Sequence, residues 1–75
     1  MELYIRKITG KTINVCSNVD NPTILMVKNL IQEKENIPIL SQRIIMAGKN
    51  LDDNKTINDY NWKRETCVFL IIRNY

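Results

Sequence analysis

At 75 residues the chain forms one domain, near the lower size at which a single hydrophobic core supports a fold without a metal or disulfides. Its composition, 44% hydrophobic and 25% charged, is that of a soluble globular chain, with no apolar run long enough to span a bilayer and no cationic leader before an apolar segment. The net charge of +3 is scattered without a block of like charge, so it reads as a solvated surface and gives nucleic-acid binding no support.

Residues 1–7, MELYIRK, alternate with Met1, Leu3 and Ile5 on one face and Glu2, Tyr4 and Arg6 on the other, which is the period of a half-buried strand. KTINVCS, 11–17, repeats the pattern with Ile13 and Val15 inward, and Thr9-Gly10 supplies the positive φ that a tight hairpin needs. TGKT imitates the end of a phosphate-binding loop. The earlier glycine of that motif falls on Ile5, inside a strand, and no helix starts at Thr12, so nucleotide binding is not expected. Asn21-Pro22 reads as a helix start, Asn21 as N-cap and Pro22 in the first helical position. From Thr23 to about Lys34 the apolar residues Ile24, Val27 and Ile31 recur at helical spacing, Asn36 is a left-handed cap, and Ile37-Pro38 stops the helix. QRIIMA, 42–47, is a third strand; Gly48-Lys49 turns, Asn50-Leu51 pairs briefly, 52–55 is loop, and a short helical turn starts at Thr56. Cys67 to Ile72 is the last strand, with Val68 and Leu70 inward by parity. This order describes one α+β domain over 1–75, a small roll with one helix laid across a sheet.

Cys16 and Cys67 are the only cysteines and histidine is absent, which excludes a Cys/His zinc site and a Cys–His nucleophile pair. Without histidine, general-base chemistry near neutral pH lacks its usual residue. We expect no enzyme activity, no metal and no cofactor, and a monomer of the cytoplasm or nucleus that begins at Met1.

A sheet covered by one helix has one wet face, whose positions should be polar. Thr12, Asn14 and Cys16 comply, but the last two main strands do not. With Ile44 inward, Ile45 points out; with Val68 and Leu70 inward, Phe69 and Ile71 point out. Ile8 at the hairpin tip is also hard to bury. Ile8, Ile45, Phe69 and Ile71 are therefore candidates for one apolar patch, with Gly48 leaving a flat edge beside it. Burying each large apolar side chain yields roughly 1.5–3 kcal/mol, so the patch yields about 6–12 against an association cost on the order of 4–15 kcal/mol, which makes binding weak and reversible.

The stretches TGKTI (9–13), VK (27–28), IQ (31–32), KE (34–35), IP (37–38), QR (42–43), AGK (47–49) and DYN (59–61) stand in an order and spacing that resemble the ubiquitin family from end to end, with one extra residue between Cys16 and Thr23. The resemblance implies the β-grasp fold, a mixed sheet gripping one helix, with a buried Tyr60 whose hydroxyl bonds nearby backbone. It also implies that the outward patch is the family's recognition surface for ubiquitin-binding domains and ubiquitin-pathway enzymes. Ile45, Ile8 and Ile71 keep the family's apolar character there, and Phe69 stands where the family has histidine. Lys11, Lys28, Lys34 and Lys49 align with family linkage lysines; Arg6, Leu30 and Arg64 occupy three other such positions and cannot accept an acyl group. Plain solvated charge is the other reading of the retained lysines.

At the tail, Arg73 matches the family and Asn74-Tyr75 follow in place of the family's route to Gly-Gly, so a chain ending there is expected not to be conjugated. Trp62 replaces a core aliphatic residue and is expected in the core. Leu25, Met26, Leu30 and Ile39-Leu40 are more apolar than the family's residues and either form a second apolar surface or cover one another. In the fold that the resemblance implies, Cys16 and Cys67 lie on strands that flank the first on opposite sides, about two spacings of 4.8 Å apart, and are expected as free thiols. The leading expectation is a ubiquitin-like binding module that works without conjugation. The alternatives are a covalent modifier whose Gly-Gly lies beyond the given sequence, and a ubiquitin-like domain of a larger protein.

Overall fold

The computed structural model describes residues 1–73; Asn74 and Tyr75 lie outside the described residues. The hairpin forms as its alternation requires: β1 (Glu2–Lys7) and β2 (Thr12–Cys16) are antiparallel, with Leu3 opposite Val15 and Ile5 opposite Ile13. Gly10 has φ 96°, the left-handed backbone that the turn demands. Met1 was expected inward and is 47% exposed, because it precedes the strand and its ammonium donates to the Ser17 carbonyl at 3.0 Å.

The main helix α1 covers Ile24–Glu35 and buries Ile24, Val27, Lys28 and Ile31. Its N-cap is Thr23, whose hydroxyl accepts from the Met26 N–H at 3.2 Å. The expected cap, Asn21, is engaged elsewhere, its Oδ1 accepting from the Asn58 N–H at 3.0 Å. Pro22 lies one residue before the cap, and its carbonyl accepts from the Ile57 N–H. Two helix-start N–H groups, those of Ile24 and Leu25, donate to the carbonyls of Lys55 and Asp53, so the 52–55 loop satisfies donors that would otherwise lack partners. Asn36 closes the helix at φ 63°, as expected.

Three more strands follow: β3 (Gln42–Met46), β4 (Lys49–Asn50) and β5 (Val68–Ile72). The turn before β4 is Ala47-Gly48, at φ 51° and 79°, and not the expected Gly48-Lys49. Two positive φ values fit a two-residue hairpin, leaving Lys49 to pair with Met46. Leu51 lies past β4, its N–H donating to the Ile44 carbonyl. Cys67 likewise falls outside its expected strand. The 3-10 turn Asn58–Tyr60 is anchored by Asp59, whose Oδ2 accepts from both the N–H and the hydroxyl of Thr56. These bonds hold the Asp59 carboxyl below its ordinary range.

The sheet order is β2-β1-β5-β3-β4, with β1 and β5 parallel and the other pairs antiparallel, a mixed sheet with α1 across one face. This is the β-grasp arrangement expected for an α+β roll. The core unites Leu3, Ile5, Ile13, Val15, Ile24, Val27, Ile31, Ile44, Leu51, Ile57, Val68 and Leu70 with Trp62, which is 2% exposed. Tyr60 is half-buried rather than buried, although its hydroxyl accepts from the Asp52 N–H as expected.

Gln42 is a buried polar tie between layers, its Nε2 donating to the carbonyls of Lys28 and Ile37, each at 3.0 Å. Gln42→Ala leaves the Ile37 carbonyl without this donor, and urea denaturation should show a loss of about 1–3 kcal/mol. Lys7 at the end of β1 and Glu35 at the end of α1 form a second tie at 2.8 Å. The hydrogen bond from Lys7 lowers the Glu35 pKa from its ordinary 4.5, with Lys11 and Lys34 adding to the effect and partial burial opposing it. A carboxylate with a depressed folded pKa stabilises fully above its unfolded value, and that contribution disappears as pH falls through the folded value. Acid titration of unfolding should show this loss below about pH 4.5 and Lys7→Met should reduce it.

Candidate recognition face

The sheet face opposite α1 carries the outward positions of the four longer strands: Glu2, Tyr4 and Arg6 from β1, Thr12, Asn14 and Cys16 from β2, Arg43 and Ile45 from β3, and Phe69 and Ile71 from β5. Strand register decides which of these touch. Phe69 pairs with Ile45 on one side and with Arg6 on the other. Ile71 pairs with Arg43. The parallel ladder of β1 and β5 ends at the Lys7–Leu70 pair, and Ile8 follows it in the hairpin turn. Directly paired side chains on one face lie about 4.5–5.5 Å apart, so Ile45 and Phe69 are neighbours and Ile71 follows two residues along β5 on the same face.

Their exposures differ. Ile8 is 74% exposed on the hairpin turn and Phe69 is 38% exposed, whereas Ile45 and Ile71 are half-buried. Both isoleucines sit on inner strands with neighbours to either side, which covers part of each. Gly48 is exposed in the turn after β3; a Cβ there would meet nothing within 4 Å, so its φ of 79° and not lack of space favours glycine. Arg6 and Arg43 put positive charge beside the apolar sites, and Arg64 lies 5.7 Å from the ring centroid of Tyr4 on the same face. Glu2, the one acid among the strand positions of this face, accepts from Asn14 Nδ2 at 3.0 Å. Sequence reading found the apolar members but missed the flanking arginines, because only the sheet order brings Arg6 alongside Phe69.

The four aligned lysines separate by environment. Lys11 and Lys49 are exposed, and Lys34, also exposed on α1, donates to the Asn14 carbonyl. Lys28 departs from the solvated-charge reading: its side chain is 7% exposed and Nζ lies 2.6 Å from Asp53 Oδ1, off hydrogen-bond geometry. The Lys28 stem packs inside while the 52–55 loop brings the counter-charge, a long-range contact that local charge spacing does not announce.

Of the other apolar surfaces, Leu30 packs against the core, whereas Leu25, Met26 and Leu40 remain exposed. Val19, Met26 and Leu30 line a groove of about 220 Å3 beside α1. Ile72, though on the inward parity opposite Gln42, is 51% exposed. Arg73 is still tied to the sheet, its N–H donating to the Ser41 carbonyl at 2.8 Å. Cys16 and Cys67 are free and exposed. Among the described residues no cluster of His, Cys, Asp or Glu could hold a metal, and no helix is long and apolar enough to cross a membrane.

The ubiquitin family model matches residues 3–75. The chain belongs to the ubiquitin family. It is 36% identical over 72 residues to the NEDD8-like protein RUB3 of Arabidopsis thaliana, covering 96% of this chain and 91% of that one. It is 37% identical over 59 residues to the NEDD8-like protein RUB1 of Saccharomyces cerevisiae, covering 79% of this chain and 75% of the other. Ubiquitin-like protein 4A-B of Salmo salar is 37% identical over 73 residues, 97% of this chain and 48% of its own, so the chain spans about half the length of that relative. As a ubiquitin-like protein it matches both a NEDD8-like protein of about its own length and a ubiquitin-like protein about twice as long.

Proposed function

We propose that this ubiquitin-like protein acts as a binding module without chemistry of its own, docking ubiquitin-pathway proteins non-covalently through the Ile8, Ile45, Phe69 and Ile71 face. The observation that carries the reading is the placement of Phe69 between Ile45 and Arg6 on the wet side of the sheet. An exposed aromatic with apolar neighbours gains by being covered, and the surrounding arginines favour a partner with an apolar centre and an acidic rim. The phenyl ring at Phe69 presents no imidazole to a polar group of the partner, which selects for partners that cover the site with apolar atoms. Titration of a labelled ubiquitin-binding domain against the wild type and Ile45→Ala tests the reading, and equal affinities would refute it.

A covalent role is the second reading, favoured by similarity over 91% of a NEDD8-like relative. It requires a carboxyl-terminal Gly-Gly in the natural product. Incubating that product with activating enzyme and ATP distinguishes the two, since a thioester adduct on the enzyme marks a modifier. Under that reading Lys28 should be the poorest acceptor of the four aligned lysines, its amine being held against Asp53.

A further inference from the structure

The free edge of β2 is the longest run of main chain in the sheet without a neighbouring strand. Hydrogen bonds exchanged between Met1 and Ser17, and from Lys7 N–H to the Lys11 carbonyl, fix which β2 residues face β1. By the alternation of an antiparallel ladder, Val15 and Ile13 bond β1 while Thr12, Asn14 and Cys16 turn their N–H and carbonyl groups to the free side. Edge strands are ordinarily blunted by a charge, a proline or a bulge, and TINVC has none of these. What covers this edge comes from outside the strand: Lys34 of α1 places its ammonium on the Asn14 carbonyl.

We propose that Lys34 guards this edge against pairing with a second copy of the chain, and that removing its charge turns the monomer into a dimer joined β2 to β2. Antiparallel pairing centred on Asn14 is self-matching. It sets Asn14 opposite Asn14 and Thr12 opposite Cys16 of the other copy, all small or polar side chains with no like charges opposed. It extends two five-stranded sheets into one and gives every free edge group a partner. A groove of about 440 Å3 beside the edge is lined by Val15, Leu30, Glu33 and Lys34, with Val15 and Leu30 as its apolar members. The obstacle lies at the centre of this arrangement. The two-fold axis through Asn14 brings both Lys34 ammonium groups together, and each already occupies the carbonyl that the second strand needs. A partner lacking a cation at this place meets none of that repulsion and has only one ammonium to displace from a carbonyl, so the guard acts most strongly against self-pairing.

Lys34→Met keeps the stem length and removes both charge and donor; Lys34→Gln removes the charge and cannot reach the carbonyl. Sedimentation of either variant up to about 1 mM should show a monomer–dimer equilibrium at least about tenfold tighter than the wild type, and Lys34→Arg should match the wild type. Amide exchange at Thr12, Asn14 and Cys16 should slow in the neutral variants as protein concentration rises. A second substitution, Asn14→Pro, removes a central edge donor that β1 does not use and should restore the monomer. Folded Met and Gln variants that remain monomeric with concentration-independent exchange overturn the proposal. So does a dimer that survives Asn14→Pro, since its interface then lies elsewhere.

Discussion

Ile45→Ala is expected to weaken binding of a ubiquitin-binding domain by at least about tenfold while the domain stays folded. The truncation removes three carbon atoms from the centre of the face, and at about 0.8 kcal/mol per buried methylene the loss is roughly 2 kcal/mol, near thirtyfold in affinity. Half-burial of Ile45 reduces this at the free surface, because part of the side chain is already covered by its sheet neighbours. The fold should tolerate the change: Ile45 points away from the core, and its cross-strand partners are Phe69 and Asn50. Phe69→Ala should cost binding at least as much, since the ring is the larger exposed apolar body. Thr12→Ala, on the same sheet face but on the far edge strand, should leave affinity unchanged and serves as the control. Calorimetry across the three variants ranks them. A flat ranking would mean that partners dock somewhere other than this face.

The apolar membership of that face was legible in the sequence because strand side chains alternate strictly, so fixing Ile44 and Leu70 inward fixes Ile45 and Phe69 outward. Their degree of exposure was not, since it depends on which strands lie inside the sheet. The helix end was readable from Asn36, whose left-handed backbone is a local matter. The helix start was misread because Thr23 and Asn21 are both good caps, and the choice between them is settled by the 52–59 segment. That segment takes the Asn21 side chain for Asn58 and presents the Asp53 and Lys55 carbonyls to the first turn. The burial of Lys28, which was left open between a linkage acceptor and a solvated charge, was not legible for the same reason, its partner Asp53 being remote in sequence. The expectations resting on Asn74 and Tyr75 lie outside the described residues. Local periodicity thus identified elements and faces, while the helix N-cap, the buried Lys28 and the arginines beside the apolar face needed contacts between distant segments.

Trp62→Ala should produce the largest stability loss of any single substitution considered. Trp62 is the chain's one tryptophan, is 2% exposed, and joins the core beside the 3-10 turn, where its backbone N–H donates to the Ile57 carbonyl. Deleting a buried indole typically costs about 3–5 kcal/mol, the transfer loss plus the cavity left behind. A domain of this size has a total stability of only roughly 4–11 kcal/mol, so the variant should be partly unfolded at ambient temperature or close to it. At about 4–8 °C per kcal/mol, calorimetry should register a drop in Tm of more than about 12 °C. The wild-type indole reports the same event, its emission moving to longer wavelength as denaturant exposes it. Trp62→Ile, which restores the family's aliphatic character, is expected to lose less than Trp62→Ala and still fall below the wild type, because the neighbouring side chains are packed around an indole and cannot close on a smaller residue without moving. A loss under about 1 kcal/mol for Trp62→Ala would show that the ring is not part of the working core, and a gain for Trp62→Ile would show that the indole is strained in its site.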